Sequence, residues 1–385
     1  MSIQQRIEKY KSGRNCTLLG VGPMSKNCID ASIELAEEYK TPIMLIASRR
    51  QIDSEQFGGG YVENWTTKQF ADYVKGKDKN RNIILARDHG GPWQNELEKK
   101  QRMSLLDAMQ SAKDSYKADI DAGFDMLHID PSVDIYSKPN VDEILERVYE
   151  LYDFCWEYSK QKKQDIIFEI GTEEQSGSNN TQEELEYTLE KMKIFCNKNN
   201  MPYPSFVVIQ AGTRVMETRN VGSFDSPVRV AYELPPEIQI PKMIEICDRF
   251  EIFMKEHNTD YLSDASLKWQ PRLGIHAANV APEFGVFETK ALISVLKKNG
   301  FNDLLDSFLK TSYDSGKWKK WMLKDSKAND NDKAVIAGHY IFATNECIDV
   351  KKEAQRRLKD FNLDDYLKNQ VKECILRYIR AFNLN

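Results

Sequence analysis

A (β/α)8 barrel with a helical C-terminal extension is the fold class this sequence predicts, on three observations: eight short apolar runs, helical segments between them, and a strand signal that fades after Gly285. The runs lie at 16–19, 43–46, 82–86, 126–129, 166–170, 206–209, 250–254 and 273–276, and each stops at a polar residue or a glycine. A strand covered on both faces shows no polar alternation, so these runs describe parallel strands between a filled barrel interior and an outer layer of helices. The segments 29–39, 107–122, 141–160 and 182–197 place apolar residues three and four apart, the helix period. Residues 1–300 are therefore assigned to the barrel. Residues 301–385, rich in Lys, Asp and Leu, form a helical extension packed on it, expected to cover the barrel or make a subunit interface. An open doubly wound sheet is the other architecture such alternation permits, but no GxGxxG turn follows the first run and no Walker-type loop occurs. The glycines Gly58–Gly60 follow the second run, where they suit a flexible lid or a close backbone approach to a ligand.

Composition excludes several classes. No stretch approaches the roughly 18 apolar residues of a membrane span, and MSIQQRIEKYKSGR lacks the apolar centre of a secretion signal, so a cytoplasmic protein is expected. Seven cysteines without a CxxC pair suit neither a disulfide framework nor a thiolate zinc site, and are read as reduced core thiols. A net charge of −5 argues against nucleic acid, and the short run Lys317–Lys320 is read as a solvated face.

Chemistry is carried by the histidines. Four of the five fall at or just beyond the end of a predicted strand: His89 (ILARDHGGP), His128 (MLHIDPS), His257 (FMKEHNTDY) and His276 (LGIHAANVAPEFG). In a barrel these ends share one mouth, where the catalytic groups of this fold gather. One such histidine alone is more often a satisfied core imidazole; four together point to a site. The fifth, His339 in AGHYIF, receives a structural reading. Asp88, Asp130, Glu169, Glu173, Gln210, Asp260, Asn279 and Glu283 join them at the same level. Imidazoles and carboxylates without thiolates suit Zn²⁺, or Mn²⁺ or Mg²⁺ where fewer imidazoles bind; a hydrogen-bonded mouth that orients substrate without an ion is the alternative. No GxSxG elbow is present, and the strand-end lysine Lys255, beside Glu256, is a poor amine nucleophile if ion-paired.

The stretches QFGGGYVENWTTKQF, ILARDHGGPWQNE, AGFDMLHIDPSVD, IIFEIGTEEQSG, EHNTDYLSDASL and HAANVAPEFG run in order through residues 56–285. In these the chain resembles the Z-type subunit of class II D-tagatose-1,6-bisphosphate aldolase, the GatZ/KbaZ family, related to the class II fructose-bisphosphate aldolases. The resemblance implies a barrel in which Asp88 is the acid/base, His89 and His257 are metal ligands, and Asn279 in NVAPEF holds substrate. Two positions depart from the catalytic relatives. VVIQAGT offers no histidine after the sixth strand, so Gln210 or Glu169 would complete the metal shell, and Pro282 replaces the threonine of the phosphate-binding loop. Z subunits are also described as stabilising partners of a separate catalytic subunit.

The site expected from residues and resemblance together has Asp88 and Glu169 as catalytic groups and His89 and His257 on the metal. His128, Asp130, Gln210, His276, Asn279 and Glu283 contact a sugar or sugar phosphate. Three functions remain open at this point: retro-aldol cleavage of a ketose phosphate, C4 epimerisation by the same apparatus, and a non-catalytic stabilising subunit. Homo-oligomerisation is compatible with all three.

Overall fold

The computed structural model describes residues 2–171, 181–226 and 235–385; Glu173 lies outside them. Eight parallel strands close a barrel: β1 (Leu18–Val21), β2 (Ile43–Ser48), β3 (Ile83–Gly90), β4 (Met126–Ile129), β5 (Ile167–Ile170), β6 (Phe206–Ile209), β7 (Phe253–Glu256) and β8 (Ala277–Val280). Each strand pairs with its neighbours in sequence, and β1 joins β8 with Gly20 opposite Asn279. The helices that follow the strands form the outer layer: α1 (Ile3–Lys11) precedes β1, then come α2 (Lys26–Tyr39), α3 (Thr67–Lys77), the short α4 (Glu96–Lys100), α5 (Leu105–Ala122), α6 (Val141–Lys162), α7 (Gln182–Asn199) and α8 (Pro236–Arg249). The short α9 (Asp264–Leu267) and α10 (Trp269–Arg272) lead into β8, which is followed by α11 (Pro282–Lys298). Helix starts are specified locally. Thr66, Asn140 and Thr181 each accept the amide three residues on, while Gln69, Glu143 and Glu184 reach back to the cap amide.

The C-terminal helices are α12 (Asn302–Asp314), α13 (Asp330–Ala337), α14 (Asn345–Arg357) and α15 (Leu363–Ala381). They do not behave as one unit. Leu304, Leu305, Phe308, Ile341, Cys347 and Val350 pack with the outer side of α11 in a separate apolar cluster, whereas Val371, Ile375, Tyr378 and Ile379 of α15 join the barrel's own core. The chain thus returns to the barrel wall, and the amide of Thr17 donates to the carbonyl of Phe382. All seven cysteines are buried and free, and no helix of the described residues is long and apolar enough to cross a membrane.

Three sequence expectations change here. The last strand is Ala277–Val280, not 273–276: Gly274 turns the chain out of α10 with φ +85°, and the strand proper begins after His276. The seventh ends in Lys255 and Glu256, buried charges that hide it from an apolar count. At Gly60 the close approach is to the chain itself, since a Cβ there would lie 1.9 Å from the Gln51 carbonyl oxygen.

Candidate active site

The C-terminal ends of the strands meet in a cleft lined by Ser48, Arg50, Asp88, His89, His257, Asp260 and Asn279, with Tyr61, Lys320, Trp321 and Tyr340 above them. Asp88 and His89 are delivered by a distorted strand end. The β3–β4 register shifts between Arg87 and Gly90, and His89 holds a left-handed φ of +45°. Such a conformation is unfavourable for a residue with a Cβ and persists where its surroundings enforce it. Gly91 permits the turn: a Cβ there would lie 2.2 Å from the Asp130 carbonyl oxygen.

Beneath the cleft, four lone-pair-bearing atoms converge. Glu169 Oε1 lies 3.4 Å from His128 Nδ1 and 3.3 Å from His257 Nε2, and Asp88 Oδ1 lies 3.7 and 3.9 Å from the same two nitrogens. All four donors fall within 4.8 Å of one another. Bond lengths of about 2.0–2.1 Å in a tetrahedral zinc site imply ligand–ligand edges of about 3.3 Å, so the spacing fits a small divalent cation. Protein hydrogen bonds reach the same atoms. His128 Nδ1 accepts the His89 amide at 3.2 Å, and Asn279 Nδ2 lies 3.0 Å from His257 Nε2 and 3.4 Å from Asp88 Oδ1. His128 Nε2 and Asn279 Oδ1 are buried without a partner. Space for them is cut by glycines: a Cβ on Gly171 would lie 2.6 Å from His128 Nε2, and one on Gly20 would lie 2.2 Å from Asn279 Oδ1.

Charge sets the protonation states. Burial alone would raise the Asp88 carboxyl, but His89, His128 and His257 hold it far below the usual carboxylate range. Glu169, fully buried, is pulled down to about 2 by Lys255, whose ammonium donates to Oε2 at 2.6 Å, and by the two histidines. His89 lies outside that group of four and forms a second possible ligand group with His128 and Asp130. Its Nδ1 lies 2.7 Å from Asp130 Oδ2, and its Nε2 lies 3.7 Å from Asp88 Oδ2. Burial disfavours its charged form, yet Asp88 and Asp130 outweigh that and raise its pKa. Ser132 and Gln94 donate to Asp130 in turn, which fixes the pair.

Of the expected site residues, Asp88, His89, His128, Asp130, Glu169, His257 and Asn279 are brought together. Gln210 is buried at the end of β6, outside the cleft lining. Two expectations fail. His276 precedes β8 instead of ending it, so it sits at the opposite end of the barrel, where its Nδ1 accepts the Met254 amide and its ring packs on Phe253. Glu283 turns away from the cleft, accepting from the Tyr261 amide, the Tyr378 hydroxyl and Arg377. The run Lys317–Lys320 is not merely a solvated face: Lys317 pairs with Glu96, while Lys320 lines the cleft. Arg50, Lys320, Trp321 and Tyr340 lie outside the six similar stretches, and Tyr61, within QFGGGYVENWTTKQF, carries no imidazole or carboxylate to mark it as a site residue.

The D-tagatose-1,6-bisphosphate aldolase subunit GatZ/KbaZ-like family model matches residues 3–294. The chain belongs to that family. Among solved structures it is similar to a protein described as a probable tagatose 6 phosphate kinase from Sinorhizobium meliloti 1021, with a TM-score of 0.69 and 16% identity over 95% of this chain and 100% of that one. It is also similar to the YdjI aldolase from Escherichia coli K12, with a TM-score of 0.54 and 13% identity over 99% and 97% of the two chains. A third is the fructuronate-tagaturonate epimerase UxaE from Cohnella laeviribosi, with a TM-score of 0.58 and 11% identity over 96% and 81%. At such identities these neighbours speak to the barrel fold, and the family assignment rests on the model match.

Proposed function

We propose that this barrel is a divalent-metal-dependent enzyme that cleaves a ketose or ketose phosphate between C3 and C4. The observation that carries the reading is the convergence of Asp88 Oδ1, His128 Nδ1, Glu169 Oε1 and His257 Nε2 at metal-ligand spacing beneath the mouth. These four would hold the ion, Zn²⁺ best matching two imidazoles and two carboxylates, with Mn²⁺ or Mg²⁺ as alternatives. Bound there, it would supply Lewis-acid stabilisation of negative charge on the ketone oxygen. His89 is assigned the proton transfer at the C4 hydroxyl: its Nε2 edge lines the cleft, and Asp130 fixes its orientation as a carboxylate fixes a catalytic imidazole. This exchanges the roles expected from the resemblance, because Asp88 Oδ1 lies among the four converging ligand-type atoms, 3.7 and 3.9 Å from His128 and His257. Asn279 lines the cleft, and its Oδ1, left without a partner, would accept from a substrate hydroxyl.

A C4 epimerase is the second reading, in which the aldehyde fragment rotates and re-adds. It is favoured by Asp260, whose Oδ1 accepts the amides of Ala281 and Glu283 and so fills the position at the start of α11 where a phosphate would sit. Incubation with tagatose, fructose and their phosphates, with and without Zn²⁺, separates the readings. Released triose phosphate identifies the aldolase and an epimer without fragments the epimerase. No turnover, together with stabilisation of a catalytic aldolase subunit on mixing, would replace both with a non-catalytic subunit role.

A further inference from the structure

Two cations face the cleft without an ion-pair partner among the described residues. Arg50 follows β2, and Lys320 lies in the 3-10 turn Lys319–Trp321, carried across the mouth by the chain after α12. Their sequence neighbours are accounted for. Arg49 is buried with Asp53 and Glu98, and Lys317 lies 2.7 Å from a Glu96 oxygen. Arg50 and Lys320 form no ion pair among the described residues. Lys320 instead lies over the rings of Trp321 and Tyr340, at 4.5 and 5.5 Å from their centroids. The positive charge of Arg50 bears on it, opposed by the Glu96 carboxylate, and an anion between Arg50 and Lys320 would relieve that repulsion. The other anion-receptive group of the rim, the start of α11, already holds the Asp260 carboxylate.

We propose that Arg50 and Lys320 bind the anionic terminus of the substrate, a phosphate or a carboxylate, so that the C-terminal extension completes the site that the barrel begins. The proposal rests on reading the mouth as a sugar site and adds what lies at the far end of that sugar. A guanidinium fork and an ammonium suit a tetrahedral or planar oxyanion. Tyr61, Trp321 and Tyr340 form the apolar wall along which a sugar's C–H face would lie.

Calorimetric titration of the full chain with inorganic phosphate and, separately, with D-glucuronate tests this without requiring turnover. The wild type is expected to bind at least one of the two, phosphate identifying a sugar-phosphate terminus and glucuronate a sugar acid. Arg50→Gln and Lys320→Met are each expected to weaken that binding by about tenfold or more, Lys320→Arg to retain most of it, and His276→Gln, at the far end of the barrel, to leave it unchanged. Circular dichroism melts confirm that the variants fold. The proposal is overturned if the wild type binds neither anion, or if Arg50→Gln and Lys320→Met bind as the wild type does. Anion binding that depends on Arg50 and Lys320 in a protein devoid of metal and of turnover would uphold it while removing the catalytic reading.

Discussion

Two clusters of buried charge lie against the same strands and follow opposite rules. Outside β2 and β3, Arg87 donates to both oxygens of Asp119 at 2.5 and 2.7 Å and to the carbonyls of Ala47 and Ile52. Arg49 donates to Asp53, Glu98, Ser111 and the Gly91 carbonyl. Apart from Glu98 Oε2, that network closes on itself. At the mouth, by contrast, two imidazoles and two carboxylates crowd together at metal-ligand spacing, and His128 Nε2 and Asn279 Oδ1 are left over. Buried polar groups are costly unless matched. The first cluster is matched within the protein and fixes the strand ends that carry the site. The second leaves polar atoms unmatched and gathers ligand-type atoms around one point, and that difference separates scaffold from site.

The comparison breaks first on activity. His257→Ala is expected to lower kcat/KM by about 10³-fold or more, as loss of a Lewis acid does, while melting temperature changes little; activity within threefold of wild type would merge the two clusters into one structural class. On the scaffold side the order reverses. Arg87→Met strands the Asp119 carboxylate and is expected to cost about 3–5 kcal/mol in urea unfolding. The double variant Arg87→Met with Asp119→Leu should recover most of that loss, and no recovery would mean the pair is not a self-contained unit.

A third contrast concerns histidines outside both clusters. His339 is 1% exposed between Tyr61 and Tyr340, with both ring nitrogens unpartnered, and burial pushes its pKa down to about 3. A base whose folded pKa is depressed leaves the unfolded chain binding more protons below pH about 6.5, so stability is intact above that value and is lost as pH falls toward the folded value. Relative to His339→Leu, the wild type should lose about 2–3 kcal/mol between pH 7.5 and 4.5; a constant difference across that window would show that His339 is not held neutral. The smallest effect is expected at His276, at the far end of the barrel: His276→Gln should change turnover by less than about threefold. A loss comparable to that of His257→Ala would contradict its placement.

Much of this architecture is legible in the sequence because a barrel strand is buried on both faces and reads as an apolar run. The runs at 43–46, 126–129 and 206–209 coincide with strands, or the starts of strands, in the structure. The exceptions share a cause. Ala277–Val280 reads AANV, with little β-branched content, because small side chains suit its neighbours Gly20 and Gly22, whereas the preceding LGIH offers a more apolar pattern. His276 was drawn into the expected site by that slip of register. The grouping of Asp88, His128, Glu169 and His257 follows from strand ends alone, but the position of His89 beside Asp130 depends on a bulge and a left-handed backbone that no spacing rule encodes. Arg50 and Lys320 are invisible for another reason: they are 270 residues apart, and only the path of the C-terminal segment over the mouth makes them neighbours.

Metal content tests the central claim most directly. Elemental analysis of protein purified from zinc- and manganese-supplemented culture is expected to find about one divalent ion per chain in the wild type and less than about a tenth of that in Glu169→Gln and His257→Ala, with the Arg87→Met variant retaining its ion as long as it is folded. Equal trace amounts in the wild type and in both mouth variants, with unchanged melting temperatures after added Zn²⁺, would contradict it.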